Sequence, residues 1–293
     1  MSRRAWVAVA IVVAWLAGMA MLVRRQFFRG EAERMAQAGL LIAPGAEYYT
    51  VTKDTARVGY ASSTLDTSTT GIHLTEFLLT ESAESAGVRR LAARSLVNLT
   101  RAMRLVNFQF EIGESYQPYK VFGRVERDST LVVIVTAGSA RPDTTQVPLH
   151  APLMLPTTMP LLMVLEQRPK VGRRHVFTVY DPLSGTVDVD TVRVRAESLF
   201  VVTDSAALDA ASGRWSAAHQ DTVRAWRLET SGGSGLASGW VDEKGRLVQA
   251  APLGRFLLRR TAYEIAFQNW SLDTKEHPRT ILPPPGAVAA ARP

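Results

Sequence analysis

The 293-residue chain contains no cysteine. That absence removes disulfides, thiolate nucleophiles and zinc–thiolate sites together. It does not exclude an oxidising compartment, because exported bacterial proteins often manage without disulfides. Lysine is also scarce, and arginine outnumbers it 29 to 5. We read this as genomic base-composition bias, since the basic residues are spread singly among strand-like runs and form no clustered basic face. The formal charge is +7, but residues 1–34 hold six Arg against two Glu. More than half of the excess therefore sits beside one apolar stretch, and no nucleic-acid partner is expected.

Chemistry-bearing patterns are equally sparse. The five histidines are His73, His150, His175, His219 and His277, and none lies at metal-ligand spacing from another. There is no Gly-x-Ser-x-Gly elbow and no Walker or dinucleotide glycine pattern after a strand. Asp188 and Asp190 alternate on one strand-like run, which reads as a polar outer face rather than a cation site. The chain is accordingly expected to be no enzyme, with no catalytic residue, no metal and no cofactor. One alternative stays open: a hydrolase without recognisable motifs, pairing Ser62, Ser63 or Ser234 with His73 or His175.

What the sequence does have is a long apolar run, Ala5 to Val23, without a charge. As a helix it measures roughly 28 Å, about the hydrocarbon thickness of a bilayer. A cleaved signal peptide and a buried soluble helix compete with an uncleaved anchor. Gly18-Met19-Ala20 offers a small-x-small site, but Met21 to Val23 prolong the run and Arg24-Arg25 follow at once. We take the anchor reading. Arg3 and Arg4 face Arg24, Arg25, Arg29 and Arg34 across the span, so flanking charge alone opposes an exported domain. The expected organisation is an anchor at 1–25, a helical stalk at 26–46, a β-rich domain at 47–270 and a disordered Pro/Ala-rich tail at 271–293.

From Glu47 the hydrophobic period changes to that of strands. Tyr49–Val51, Val58–Tyr60, Ile72–Leu79 and Leu105–Ile112 are short runs rich in Thr, Val and aromatics. Lys120–Glu126 and Thr130–Thr136 flank a turn at Arg127-Asp128-Ser129, and further strands run from Arg174 to Thr203 and from Thr222 to Leu258. Val88–Leu99 fits a helical stripe or a strand. Ala206–Gly213 reads as a polar insertion.

The most unusual tract is Pro148 to Pro169, broken by prolines yet strongly apolar. A short helix over Thr158–Gln167, with Pro160 in its first turn, suits it. Its Leu153, Met154, Leu155, Met159, Leu161, Leu162 and Met163 are the candidate ligand-binding residues. Either they seal the core, or they wall an apolar cavity, for which flexible Met side chains are well suited.

Several short motifs then fall into a familiar order. Glu47-Tyr48-Tyr49 leads to Arg57-Val58-Gly59-Tyr60, then Pro160-Leu161-Leu162, Val179-Tyr180-Asp181-Pro182 and Gly239 to Leu247. This resembles the β-rich envelope domains of unknown function found ahead of transglutaminase-like domains in bacteria. Their architecture is similar to the half-barrel of lipoprotein carriers of the LolA/LolB type. The resemblance covers about 47–260. It implies an envelope location, and it is the reason for preferring an inside amino terminus. The transglutaminase nucleophile is a cysteine, so that activity does not carry over, and the matching positions are turn and core residues.

The fold expected is mainly β: an N-terminal transmembrane helix, then a curved, half-barrel-like antiparallel sheet with one or two short covering helices. The function expected is that of a non-catalytic module, held in the inner membrane through Ala5–Val23 and facing the periplasm. It would bind a lipid or acyl ligand, or a partner protein of the envelope. The alternative is a scaffold domain whose interior is filled by its own side chains.

Overall fold

A computed structural model describes residues 36, 39, 42–85, 87–113, 118–166, 169–232, 238–251, 256–276 and 281. The apolar run at 5–23 lies outside them, as do most of the stalk and most of the tail. Among the described residues no helix is long and apolar enough to cross a membrane.

Among the described residues fifteen strands form one sheet. The first eight are β1 (Gly45–Lys53), β2 (Ala56–Thr67), β3 (Gly71–Glu84), β4 (Gly87–Thr100), β5 (Leu105–Gly113), β6 (Tyr119–Glu126), β7 (Thr130–Ala137) and β8 (Asp143–Pro148). Each pairs antiparallel with the next. Then come β9 (Leu153–Met154), helix α1 (Met159–Glu166), β10 (Arg174–Asp181), β11 (Thr186–Asp209) and β12 (Arg214–Ser231). The last strands are β13 (Ser238–Asp242), β14 (Leu247–Ala250) and β15 (Phe256–Thr261). A π-helical turn at Glu264–Gln268 continues into α2 (Asn269–Glu276).

β15 returns to pair with β1, so two meanders are joined at the centre of the sheet. Only β9 runs parallel to its neighbour, β10. β8 and β9 are the two edges, and the sheet is open. Pro148 ends β8, a position where its missing N–H leaves no ladder bond unmade.

The sheet curls until its two halves share one core. Val97, Phe108, Val121 and Leu131 from the first half cluster with Val179, Val192, Trp226 and Leu228 from the second. Between them lies α1, apolar on every side because it has sheet on both sides. Its placement one residue shorter at each end than 158–167 agrees with the sequence expectation. Tyr119 donates its hydroxyl to the Pro182 carbonyl at 3.3 Å, which fastens the halves on one side.

Phe108 forms a second link across the halves. Its ring lies 5.4 Å from that of Tyr180 and covers Gly123, its partner on β6. A Cβ at Gly123 would sit 2.1 Å from the Phe108 ring. Gly123→Ala is therefore expected to push Phe108 off Tyr180 and to cost about 1–3 kcal/mol, measured by urea denaturation.

Four sequence readings need correction or settling. Val88–Leu99 is a strand, paired along its length with β3 and over Ala92–Leu99 with β5. Ala206–Gly213 is no insertion but the tip of a long hairpin, whose strands β11 and β12 run 24 and 18 residues. The tail does not begin at Ser271, because α2 continues to Glu276. Two contacts tie that helix to the hairpin tip. Asn269 exchanges hydrogen bonds with the Trp215 backbone at 2.9 and 2.8 Å, and Arg214 pairs with Asp273 and Glu276 at 2.7 and 2.8 Å. Asp190 is also corrected: it is fully buried rather than on a polar outer face, while Asp188 is exposed.

Candidate functional site: an apolar cavity

The concave face of β1–β5 is not filled. Strand pairing places side chains in rows across it, because residues opposite one another share a face. One row runs Tyr49, Ala61, Leu78, Ala93. The next runs Glu47, Ser63, Glu76, Ser95, Phe110. The small side chains of Ala61, Ser63, Ala93 and Ser95 leave a hollow. The connector before α1 roofs it without filling it. The result is a cavity of about 400 Å³ with predominantly apolar walls.

The seven candidate residues divide in two. Leu155 and Leu161 line the cavity, together with Pro156, Thr157 and Pro160. Leu153, Met154, Met159, Leu162 and Met163 are buried in the core that joins the sheet halves. All seven thus belong to the buried core, and Leu155 and Leu161 form the cavity roof as well. The short motifs behind the family resemblance also converge here. Pro160-Leu161, Asp181-Pro182 and Lys244 to Leu247 are far apart in sequence and border the same cavity. Gly245 is required at this junction. Its φ is +76°, and a Cβ there would lie 2.7 Å from the Leu161 Cα.

Glu76 is the residue the sequence did not reveal. It faces into the cavity from the middle of β3. Among the described residues it makes no hydrogen bond or ion pair. Burial pushes its carboxyl up to about 7. No cation offsets that desolvation, so near neutral pH the group stands between its acid and its anion.

Its row neighbour Glu47 is in the opposite situation. Arg246 Nη1 bonds Glu47 Oε1, and Arg260 Nε lies 3.7 Å from Glu47 Oε2. Arg260 Nη1 donates to Asp242 Oδ2 at 2.7 Å. Asp242 Oδ1 in turn accepts the backbone N–H groups of Lys244 and Arg246, both at 2.9 Å. Two carboxylates and two guanidiniums thus balance in a nearly buried cluster that clamps the β13–β14 turn onto β1. Tyr49 adds a hydroxyl bond to the Leu247 carbonyl at 3.2 Å, and burial raises its pKa so that it remains a neutral donor. Beyond this cluster is a second, more polar hollow of about 630 Å³, between the β11–β12 hairpin and the Thr261–Glu264 segment.

The nucleophile–base pairing weighed from sequence is not assembled around His73. His73 lies opposite Asp66, whereas Ser63 and Ser62 lie opposite Glu76 and Phe77, so they are three and four positions, or roughly 10 and 13 Å, away along the ladder. His73 instead bonds Asn98 at 2.6 Å. His175 stacks on Phe177, and Ser234 lies outside the described residues. Among the described residues no group of three or more His, Asp or Glu is placed to hold a metal ion.

No family model matches the chain, and no curated protein matches it. Among solved structures it is similar to a beta-barrel-like protein of a domain of unknown function (DUF1849) from Brucella abortus. That similarity has 13% identity and a TM-score of 0.49, and it covers 75% of this chain and 95% of the other.

Proposed function

We propose that the chain is a non-catalytic binding module of the bacterial envelope, anchored at the inner membrane through Ala5–Val23, whose cavity takes an apolar ligand such as a lipid or acyl chain. The observation that carries the reading is the cavity itself. Its volume lies within the usual range for small-molecule sites, and its lining is mostly apolar with few polar groups. A scaffold whose sheet is filled by its own side chains has no need of the small residues at 61, 63, 93 and 95. The resemblance to lipoprotein-carrier half-barrels supports the same reading. So does the roof, since Leu155 and Leu161 belong to the tract singled out for an apolar guest.

The test is to fill the hollow. Ala93→Leu points added carbon into the cavity from the floor of β4. The full chain in lipid nanodiscs is expected to bind a short-chain alcohol such as 1-octanol calorimetrically, above an empty-nanodisc blank. The Ala93→Leu chain is expected to lose about tenfold in affinity, as one occupied pocket costs on that scale, with its unfolding transition retained. Equal binding by both chains places the alcohol elsewhere and removes the basis of the reading, leaving the scaffold alternative.

A further inference from the structure

We propose that the guest of this cavity is an apolar molecule bearing a single cationic group, with Glu76 as its counter-ion. The inference rests on the ligand-binding reading above and adds the chemistry of the guest.

Charge accounting within the apolar cavity points to a cation. A carboxylate held away from water is strongly disfavoured unless a cation or several donors face it. Every other charged or titratable group bordering the cavity either has such a partner or reaches solvent. Glu47 is tied to Arg246 and Arg260. Tyr49 is bonded to the Leu247 carbonyl. Asp181 Oδ1 accepts the Leu183 N–H at 2.9 Å, beside the rim. Arg94 and Lys244 lie at exposed positions. Glu76 alone points into the apolar space, and among the described residues no hydrogen bond or ion pair reaches it. Its nearest polar companions in register are the hydroxyls of Ser63 and Ser95, one strand away on each side. A guest ammonium would supply the missing charge, and the two hydroxyls stand where they can accept its remaining N–H groups.

An anionic guest is the competing chemistry, with its carboxylate at the rim against Arg94 and Lys244. Magnitude decides between them. Exposed ion pairs contribute little, whereas pairing an uncompensated charge that is largely out of water contributes more. Size sets a further limit. At about 30 Å³ per water-sized group, the cavity holds roughly a dozen heavy atoms.

The probes are n-octylamine, 1-octanol and octanoate, titrated calorimetrically into the full chain in lipid nanodiscs, with empty nanodiscs as the blank. At pH 8 octylamine is expected to bind at least about tenfold more tightly than octanol. Lowering the pH to 5.5, where Glu76 is protonated, is expected to remove about tenfold of the amine's affinity and leave that of octanol unchanged. Glu76→Gln is expected to abolish both the amine preference and its pH dependence. Retained octanol binding in that variant shows that the cavity is intact. Equal binding of amine and alcohol at pH 8, or an amine preference that survives Glu76→Gln, overturns the inference while the cavity reading stands. Octanoate as the tightest probe overturns it in favour of the rim cations. No binding by any probe overturns both.

Discussion

Replacing Arg260 by Met is expected to destabilise the domain by about 3–5 kcal/mol. Arg260 is 7% exposed and Asp242 6%, so the pair is nearly out of water. Removing the guanidinium leaves the Asp242 carboxylate with two backbone N–H donors and no counter-charge. Glu47 keeps Arg246 and is less affected. Met preserves most of the aliphatic volume, which keeps the effect electrostatic rather than a cavity penalty. The companion variant is Arg260→Met with Asp242→Asn. Asn retains the acceptor that caps the turn while discharging the site. The double variant is therefore expected to recover at least about half of the loss, as buried pairs replaced together often do. Equilibrium denaturation of the two single variants and the double one measures this. Additive losses would show that the two groups are not coupled.

Glu76→Gln is expected to act in the other direction, and only above acidic pH. The folded-state pKa is raised to about 7 from an ordinary 4.5. Folding therefore favours the protonated form. The native state binds more protons than the unfolded chain between those two values, and stability falls as pH rises through that window. The penalty is complete above about pH 7 and reaches about 3 kcal/mol. Gln mimics the neutral carboxyl at every pH. It should stabilise the domain by about that amount at pH 8, shift the thermal midpoint upward by roughly 6–12 °C, and change little at pH 4. A variant no more stable than the parent at pH 8 would mean that Glu76 already has a partner. A half-buried carboxyl that opposes folding is the pattern expected where a site is kept for a ligand rather than for stability.

Much of the fold was legible because strands with one buried face alternate. The runs at Leu105–Ile112, Lys120–Glu126 and Thr130–Thr136 correspond to β5, β6 and β7. The apolar proline-broken tract was legible as a helix between sheet halves, because proline rules out a central strand there. Glu76 was not legible, for a specific reason. In β3 both faces are apolar: Leu74 and Leu78 point to the concave side, while Phe77 packs outside against Tyr60, which also meets Phe267. With Phe77 and Leu79 taken as the inward residues, Glu76 falls on the solvent side, and only the pairing register reverses that. The small residues at 61, 63, 93 and 95 signal a hollow only when β2, β3 and β4 are known to be neighbours in register.

The long hairpin was missed on different grounds. Beyond Val202 it leaves the core, so both faces of Arg214–Asp221 are largely solvated and carry no period. Its stability comes from backbone pairing and from the docking of α2, and neither leaves a pattern in a single sequence. Residues 271–276 of helix α2 were assigned to the tail because the prolines at 283–285 and the Ala-rich residues mark the stretch from Ser271 onward as disordered. The helix is held by the Asn269–Trp215 exchange and by the Arg214 ion pairs.

The most direct measurement of the central claim is native mass spectrometry of the full chain released from the membranes in which it is made. The expected result is a chain carrying a non-covalent apolar adduct on the order of 200 Da, in keeping with the roughly dozen heavy atoms that a cavity of about 400 Å³ holds. Ala93→Leu should lower its occupancy. A parent chain that emerges with no adduct, and takes none up when offered octylamine or octanol, would contradict the account.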